Sequence, residues 1–136
     1  SAASDVYKRQ AYTYPVETGY FSTEVDVEGA IELLKSAGYE FDGNNMLSAS
    51  TPISFEYLTN EGSSNVGIAE CIQQDLAVVG INMTIRTCDW NVFLNDRKNG
   101  NYDIARNGWL ADFNDPINFL EMWTTDSGNN DCQFGR

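Results

Sequence analysis

Between residues 53 and 107 the apolar side chains of this chain change their period again and again, and that alternation limits the folds open to it. Ile53-Ser54-Phe55-Glu56-Tyr57-Leu58 alternates in steps of two, as a strand does. Val66, Ile68, Ala69, Ile72, Leu76 and Val79 then recur at helical spacing until Gly80. Ile81-Asn82-Met83-Thr84-Ile85-Arg86-Thr87 returns to a period of two. Asp89 is placed to cap a helix over 90–99 that Gly100 closes, and 102–107 reads as a third strand. Consecutive strands joined through a helix are nearly always parallel, with right-handed crossovers, so the order β-α-β-α-β predicts an α/β fold with a short parallel or mixed sheet. Ligands of open α/β sheets gather outside the carboxyl ends of the strands. Three segments are expected to emerge there together: 59–65, 88–90 and 108–115.

Flanking segments are read in the same way. Asp26 can cap a helix whose residues Ala30, Ile31, Leu33, Leu34 and Ala37 share one broad face, with Gly38 ending it. Asp115-Pro116 suits a helix start, aspartate at the cap and proline in the first turn, ahead of Ile117, Phe119, Leu120 and Trp123, the last assigned to the core. Residues 12–24, with Pro15 and Gly19 among tyrosines, read as an irregular entry. Before them, Asp5-Val6-Tyr7-Lys8-Arg9-Gln10 looks like the translation of a transposon-end adapter used in sequencing-library preparation. Residues 1–10 are therefore set aside as non-native, leaving 11–136 for fold reasoning.

The 136 residues are one domain's worth, and 42% hydrophobic content is enough for a core. With 20 acidic against 8 basic residues the chain carries −12, which repels phosphate backbones and anionic lipid and argues against nucleic-acid binding. No apolar run approaches the roughly 20 residues of a membrane span. Cys71, Cys88 and Cys132 form no Cys-x-x-Cys pair and histidine is absent, so no metal site is expected. Measured from the turn at Gly80, Cys71 lies about 13 Å along a helix and Cys88 about 26 Å along a strand. A disulfide needs Cα atoms within about 7 Å, so free, partly buried thiols are expected.

The richest chemistry sits in Arg106-Asn107-Gly108-Trp109-Leu110-Ala111-Asp112-Phe113-Asn114-Asp115-Pro116. A carboxylate at Asp112, between Trp109 and Phe113, can make charge-assisted hydrogen bonds to an ammonium group, each about 1.5–3 kcal/mol. An aspartate in such a loop also serves as a turn or cap residue. Trp109 and Trp90 can cover varied ligand side chains by stacking, or pack in the core. Arg106 points either into the cleft or toward Asp103. The 60–65 loop offers free helix N–H groups for a carboxylate, or ordinary N-capping. Asp112 and Asp115 have the composition of a glycosidase pair, but nothing else in the sequence supports hydrolysis.

Gly108-Trp109-x-Ala111-Asp112-aromatic-x-Asp115-Pro116, with Asn118-Phe119-Leu120 and Ser127-Gly128-Asn129-Asn130 beyond it, resembles the signature of the family 5 extracytoplasmic solute-binding proteins, the peptide-binding proteins of ABC importers. The segment 30–39 resembles that family's helix before the main sheet of the lobe, and the likeness runs over roughly 20–130. It implies a periplasmic-binding-protein-like (type II) lobe, incomplete at both ends, with 11–136 forming part of the second, C-terminal lobe. By the same resemblance Asp112 grips the amino end of a peptide, Trp109, Trp90 and Phe113 flank it, and Arg106 helps to hold its carboxylate. The implied partners are a peptide ligand and ABC permease subunits, with no cofactor and no chemical step. Membrane association would come only through the permease or a lipid anchor of the full-length protein, and the location would be the periplasm or cell surface. Relatives of this architecture that bind nickel complexes, oligosaccharides or signalling peptides are the alternatives.

Overall fold

The computed structural model describes residues 24–135, which fall into two compact units divided after Ala37. The first ten residues, and most of the irregular entry, lie outside the described residues. In the first unit, α1 (Val27–Ser36) begins where Asp26 Oδ1 accepts the Gly29 N–H at 2.8 Å, as its sequence predicts. Ile31 is buried while Leu33 is exposed, and the chain leaves through Gly38 at φ +97°.

The second unit is built on β1 (Ser54–Asn60), α2 (Ser63–Val78), β2 (Asn82–Cys88), α3 (Trp90–Asn99) and β3 (Ile104–Ala105). Both strand pairings are parallel, in the order β2-β1-β3, with Ser54 opposite Asn82, Asn60 opposite Cys88 and Leu58 opposite Ala105. The chain therefore steps from β1 to one side and returns across it to the other. Connections of the right-handed kind that the rule demands, made in opposite directions, place their helices on opposite faces of the sheet. Leu58 and Thr59, neighbours that point to opposite faces, are both fully buried, so both faces are covered. With Ala69, Met83 and Phe93 they form the centre of the core.

Several boundaries differ from the sequence reading. β1 continues through Thr59 and Asn60, assigned above to a polar loop, because pairing with Thr87 and Cys88 satisfies their backbone and burial favours a β-branched side chain at 59. β3 is only two residues long, pairing with Tyr57 and Leu58; ahead of it the Asp103 side chain takes the Glu56 N–H at 2.8 Å, the β1 donor that a longer strand would use. α2 starts at Ser63 rather than Val66; Ser64 and Asn65 carry no apolar period to reveal the first turn. Gly62 stands at its N-cap with no side-chain bond, so ordinary N-capping by this loop does not occur. The last helical stretch is α4 (Ile117–Leu120) followed by a 3-10 turn (Glu121–Trp123). There Asn118 and Met122, four residues apart, point inward, which turns Trp123 out to 42% exposure instead of into the core.

Charged groups tie the layers together. Arg86 on β2 donates from Nε to Glu56 on β1 at 2.7 Å, from Nη1 to Asp96 on α3 at 2.6 Å and from Nη2 to the Asn101 carbonyl at 2.5 Å. The Arg86 bond, and after it a bond from the Asn101 side-chain amide to Asp96 Oδ1 at 3.2 Å, hold the Asp96 carboxyl below its usual range. Arg97 donates to Asp131 at 2.6 Å, and its guanidinium lies 5.1 Å from the Phe93 ring centroid. The Tyr102 hydroxyl donates to the Asp131 carbonyl at 3.0 Å.

Gly80, between α2 and β2, has φ +82°, and a Cβ there would lie 2.9 Å from the Leu47 amide nitrogen, whose N–H is held by the Val79 carbonyl at 2.9 Å. Gly80→Ala thus combines left-handed strain with a backbone clash. It is expected to cost about 1–3 kcal/mol in a urea melt, the range for residues forced into such conformations. An unchanged midpoint would show that the Leu47 strap moves away freely.

Candidate functional site

The carboxyl edge of the sheet assembles the site. β1 and β2 end level with each other, and the Glu61 N–H donates to the Cys88 carbonyl at 2.9 Å, carrying the ladder one residue further. Asp89 then turns the chain, its Oδ1 accepting from Asn91 N at 2.9 Å and Val92 N at 3.2 Å, which fixes Trp90 as the first residue of α3. On the other side of β1, the Arg106 N–H donates to the Leu58 carbonyl at 2.9 Å, after which the chain leaves the sheet and runs through 107–115.

Trp90, Trp109 and Asp112 come together as the sequence predicts. They line a cleft of ≈ 410 Å³ that runs along Leu94 and Lys98 of α3 and is bounded by Asn129. Trp90 is 52% exposed, with its ring 5.5 Å from that of Phe93. Trp109 is the common wall of two further cavities. One, of ≈ 160 Å³, is lined by Asp112, Phe113 and Asn118; the other, mainly apolar and ≈ 280 Å³, is lined by Phe119, Met122 and Trp123. Phe113 is therefore next to Asp112 but not in the large cleft.

Arg106 lines none of these three cavities. Its guanidinium lies against Gly108, where an added Cβ would sit 3.4 Å from Nη2. Nor is it paired with Asp103, whose Oδ2 accepts the Glu56 N–H at 2.8 Å. Asp115 has the capping role read from its sequence, Oδ1 accepting the Ile117 N–H at 2.9 Å, and it lines none of the three cavities that Asp112 or Trp109 share. Asn60, Glu61, Gly62, Ser64 and Asn65 also line none of them; Asn65 Nδ2 instead donates to Asn60 Oδ1 at 3.4 Å.

Asn118 is the side chain that the candidate residues left out. It is only 5% exposed, and its Oδ1 accepts both the Trp109 Nε1–H and the Asp112 backbone N–H, each at 2.9 Å. Its place within the signature was visible, but a single polar residue in an apolar helix carries no sign of what it bonds.

All three cysteines are free, as the spacing predicts, although Cys71 and Cys132 are exposed rather than partly buried. Burial pushes the Cys88 thiol up from its ordinary range, against an opposing pull from Arg86. Iodoacetamide near neutral pH is accordingly expected to label Cys71 and Cys132 well before Cys88, read by peptide mass spectrometry. Equal labelling of Cys88 would contradict the packing around the end of β2.

Over residues 2–131 the sequence matches the family described as bacterial extracellular solute-binding proteins, family 5 Middle. It is 32% identical over 111 residues to the periplasmic oligopeptide-binding protein OppA of Salmonella typhimurium, covering 79% of this chain and 18% of that protein. It is 34% identical over 113 residues to the oligopeptide-binding protein OppA of Bacillus subtilis, covering 82% and 20%. The fold superposes on the crystal structure of Haemophilus influenzae OppA in complex with RPPGFSPFR, at TM-score 0.67 and 29% identity, over 79% of this chain and 20% of that one. The chain thus spans about a fifth of the length of these relatives, and its α/β architecture is that of the periplasmic binding proteins.

Proposed function

We propose, from the premise that this chain belongs to family 5 of the bacterial extracellular solute-binding proteins, that it is part of the second lobe of a protein that captures extracytoplasmic peptides and hands them to an ABC permease. Residues 11–136 make up that part in this reading and 1–10 stand outside it, although the family match begins at residue 2. The observation that carries the proposal is Asp112, set at the carboxyl edge of a parallel sheet in one cleft with Trp90 and Trp109. A carboxylate flanked by aromatic planes suits an ammonium group followed by side chains of varied shape. Asp112 would hold the peptide's amino end, while Trp90 and Trp109 cover the neighbouring residues by nonpolar contact.

Closure of two lobes over the ligand would exclude water and strengthen the charge pair. Arg106 does not line the cleft in this structure, its guanidinium lying against Gly108, so its proposed contact with a ligand carboxylate would require the side chain to move. No bond is made or broken in this scheme. The periplasmic location of two of the relatives supports an extracytoplasmic site of action.

Calorimetry separates this reading from its rivals. A protein completed with its other lobe is expected to bind short peptides saturably and release them intact, whereas residues 11–136 alone should show no measurable binding, because half of a two-lobe site lacks most of its contacts. Micromolar or tighter binding by the isolated segment would overturn the two-lobe arrangement, and recovery of cleaved peptide would overturn the absence of chemistry.

A further inference from the structure

We infer that Asn118 is the positioning residue of this site: one buried amide locks the Trp109 ring and the Asp112 backbone together and so sets the direction in which the Asp112 carboxylate faces a ligand. The inference rests on the peptide-binding reading for its consequence, while its geometry stands by itself. Asn118 is the second residue of α4, yet its side chain does not cap that helix. It reaches back to residues six and nine positions earlier, where Oδ1 takes two N–H donors at 2.9 Å, one from the Trp109 indole and one from the Asp112 main chain. Its Nδ2 faces Asp112 Oδ2 at 3.5 Å, the limit of a hydrogen bond. The backbone is held as well, the Asn118 N–H donating to the Asp115 carbonyl at 3.1 Å.

Only an amide meets these demands. The position needs an oxygen with two lone pairs for two donors and, on the same planar group, an N–H turned toward a carboxylate. Aspartate keeps the oxygen but sets a second negative charge against Asp112; leucine has the volume and neither function. With the amide present, the aromatic wall and the carboxylate are fixed in one frame before ligand arrives, which removes an ordering cost from binding. Without it, the indole N–H and the Asp112 amide lose their acceptor and residues 109–113 are free to rotate the carboxylate off the cleft. Selectivity for a free amino terminus is the property that depends on that direction.

The test uses the complete two-lobe protein, with trialanine and N-acetyl-trialanine as probes, and a ligand-free measurement beside them. The Trp109 indole N–H resonance, assigned by its loss in Trp109→Phe, should exchange slowly with solvent in the wild type. It should become fast in Asn118→Ala and stay slow in Asn118→Asp, which retains the acceptor and the volume. Asn118→Ala should also reduce the preference for trialanine over its acetylated form at least tenfold. Slow indole exchange in Asn118→Ala, or fast exchange in Asn118→Asp, would overturn the inference, and the aspartate variant keeps it testable if the alanine variant does not fold. If Asp112→Ala abolishes the preference and Asn118→Ala preserves it, the positioning role fails while the peptide-binding reading survives. If Asp112→Ala leaves the preference intact, the reading itself fails, and the indole exchange still decides what Asn118 holds.

Discussion

Asp112→Ala, in a protein completed with its other lobe, is expected to weaken binding of a free-amine peptide by roughly a hundredfold to several thousandfold. Asp112 is exposed in the cleft of this chain, so its ion pair would be desolvated only when ligand and the opposing lobe close over it. Removing one partner of a desolvated pair costs about 3–5 kcal/mol, since the remaining charge keeps its burial and loses its counter-ion. At about 1.4 kcal/mol for each factor of ten, that loss gives the stated range. An N-acetylated peptide should bind the wild type poorly and lose little further in the variant. Asp115→Ala should differ in kind, because Asp115 bonds the Ile117 N–H: about 1 kcal/mol of stability and no specific loss of the ammonium contact. A calorimetric cycle of two proteins and two peptides decides the matter. Additive losses would mean that Asp112 does not touch the amino end.

Asp131→Ala should have the largest effect on folding itself. Arg97 and Asp131 meet at 2.6 Å with side chains only 12% and 5% exposed, and the substitution strands the guanidinium above the Phe93 ring. A buried pair broken on one side loses about 3–5 kcal/mol, readable as a lowered urea midpoint followed by circular dichroism. Changing both residues to apolar ones of similar volume should restore much of that loss. A single-variant loss below about 1 kcal/mol would show that water reaches Arg97 and that the pair holds little. Tyr102 secures the same segment from another side; burial and the neighbouring acidic groups keep its hydroxyl protonated above the usual tyrosine range, so that it goes on donating to the Asp131 carbonyl.

The sheet, both crossovers and the caps of α1 and α3 were legible in the sequence because each rests on local chemistry: a change of period, an aspartate ahead of it, a glycine behind it. Gly100, at φ +72°, closes α3 where the pattern places it. What escaped was decided by partners distant in sequence. Thr59 reads as loop until Thr87 pairs with it, and β3 is short because the Asp103 side chain takes the Glu56 N–H that a longer ladder would use. In the site, Trp90, Trp109 and Asp112 could be placed together because parallel connections bring their loops to one edge. Arg106 could not, since its backbone continues the ladder to Leu58 while its side chain folds onto Gly108. Asn118 was hidden for a related reason: three bonds that cross six to nine residues leave no periodic trace.

All three tryptophans of this chain stand on cavity walls, and none is among the fully buried residues. Light emitted by this protein therefore reports on its clefts rather than on its centre, where Leu58, Met83 and Phe93 contribute almost nothing to the signal. A dye-free optical titration would see an occupant on any side of Trp109, since that one chromophore borders all three spaces. The same arrangement misleads in a melt: a change of emission colour would record loosening at the start of α3 and over residues 107–123, and the strands beneath could remain intact and dark to the measurement.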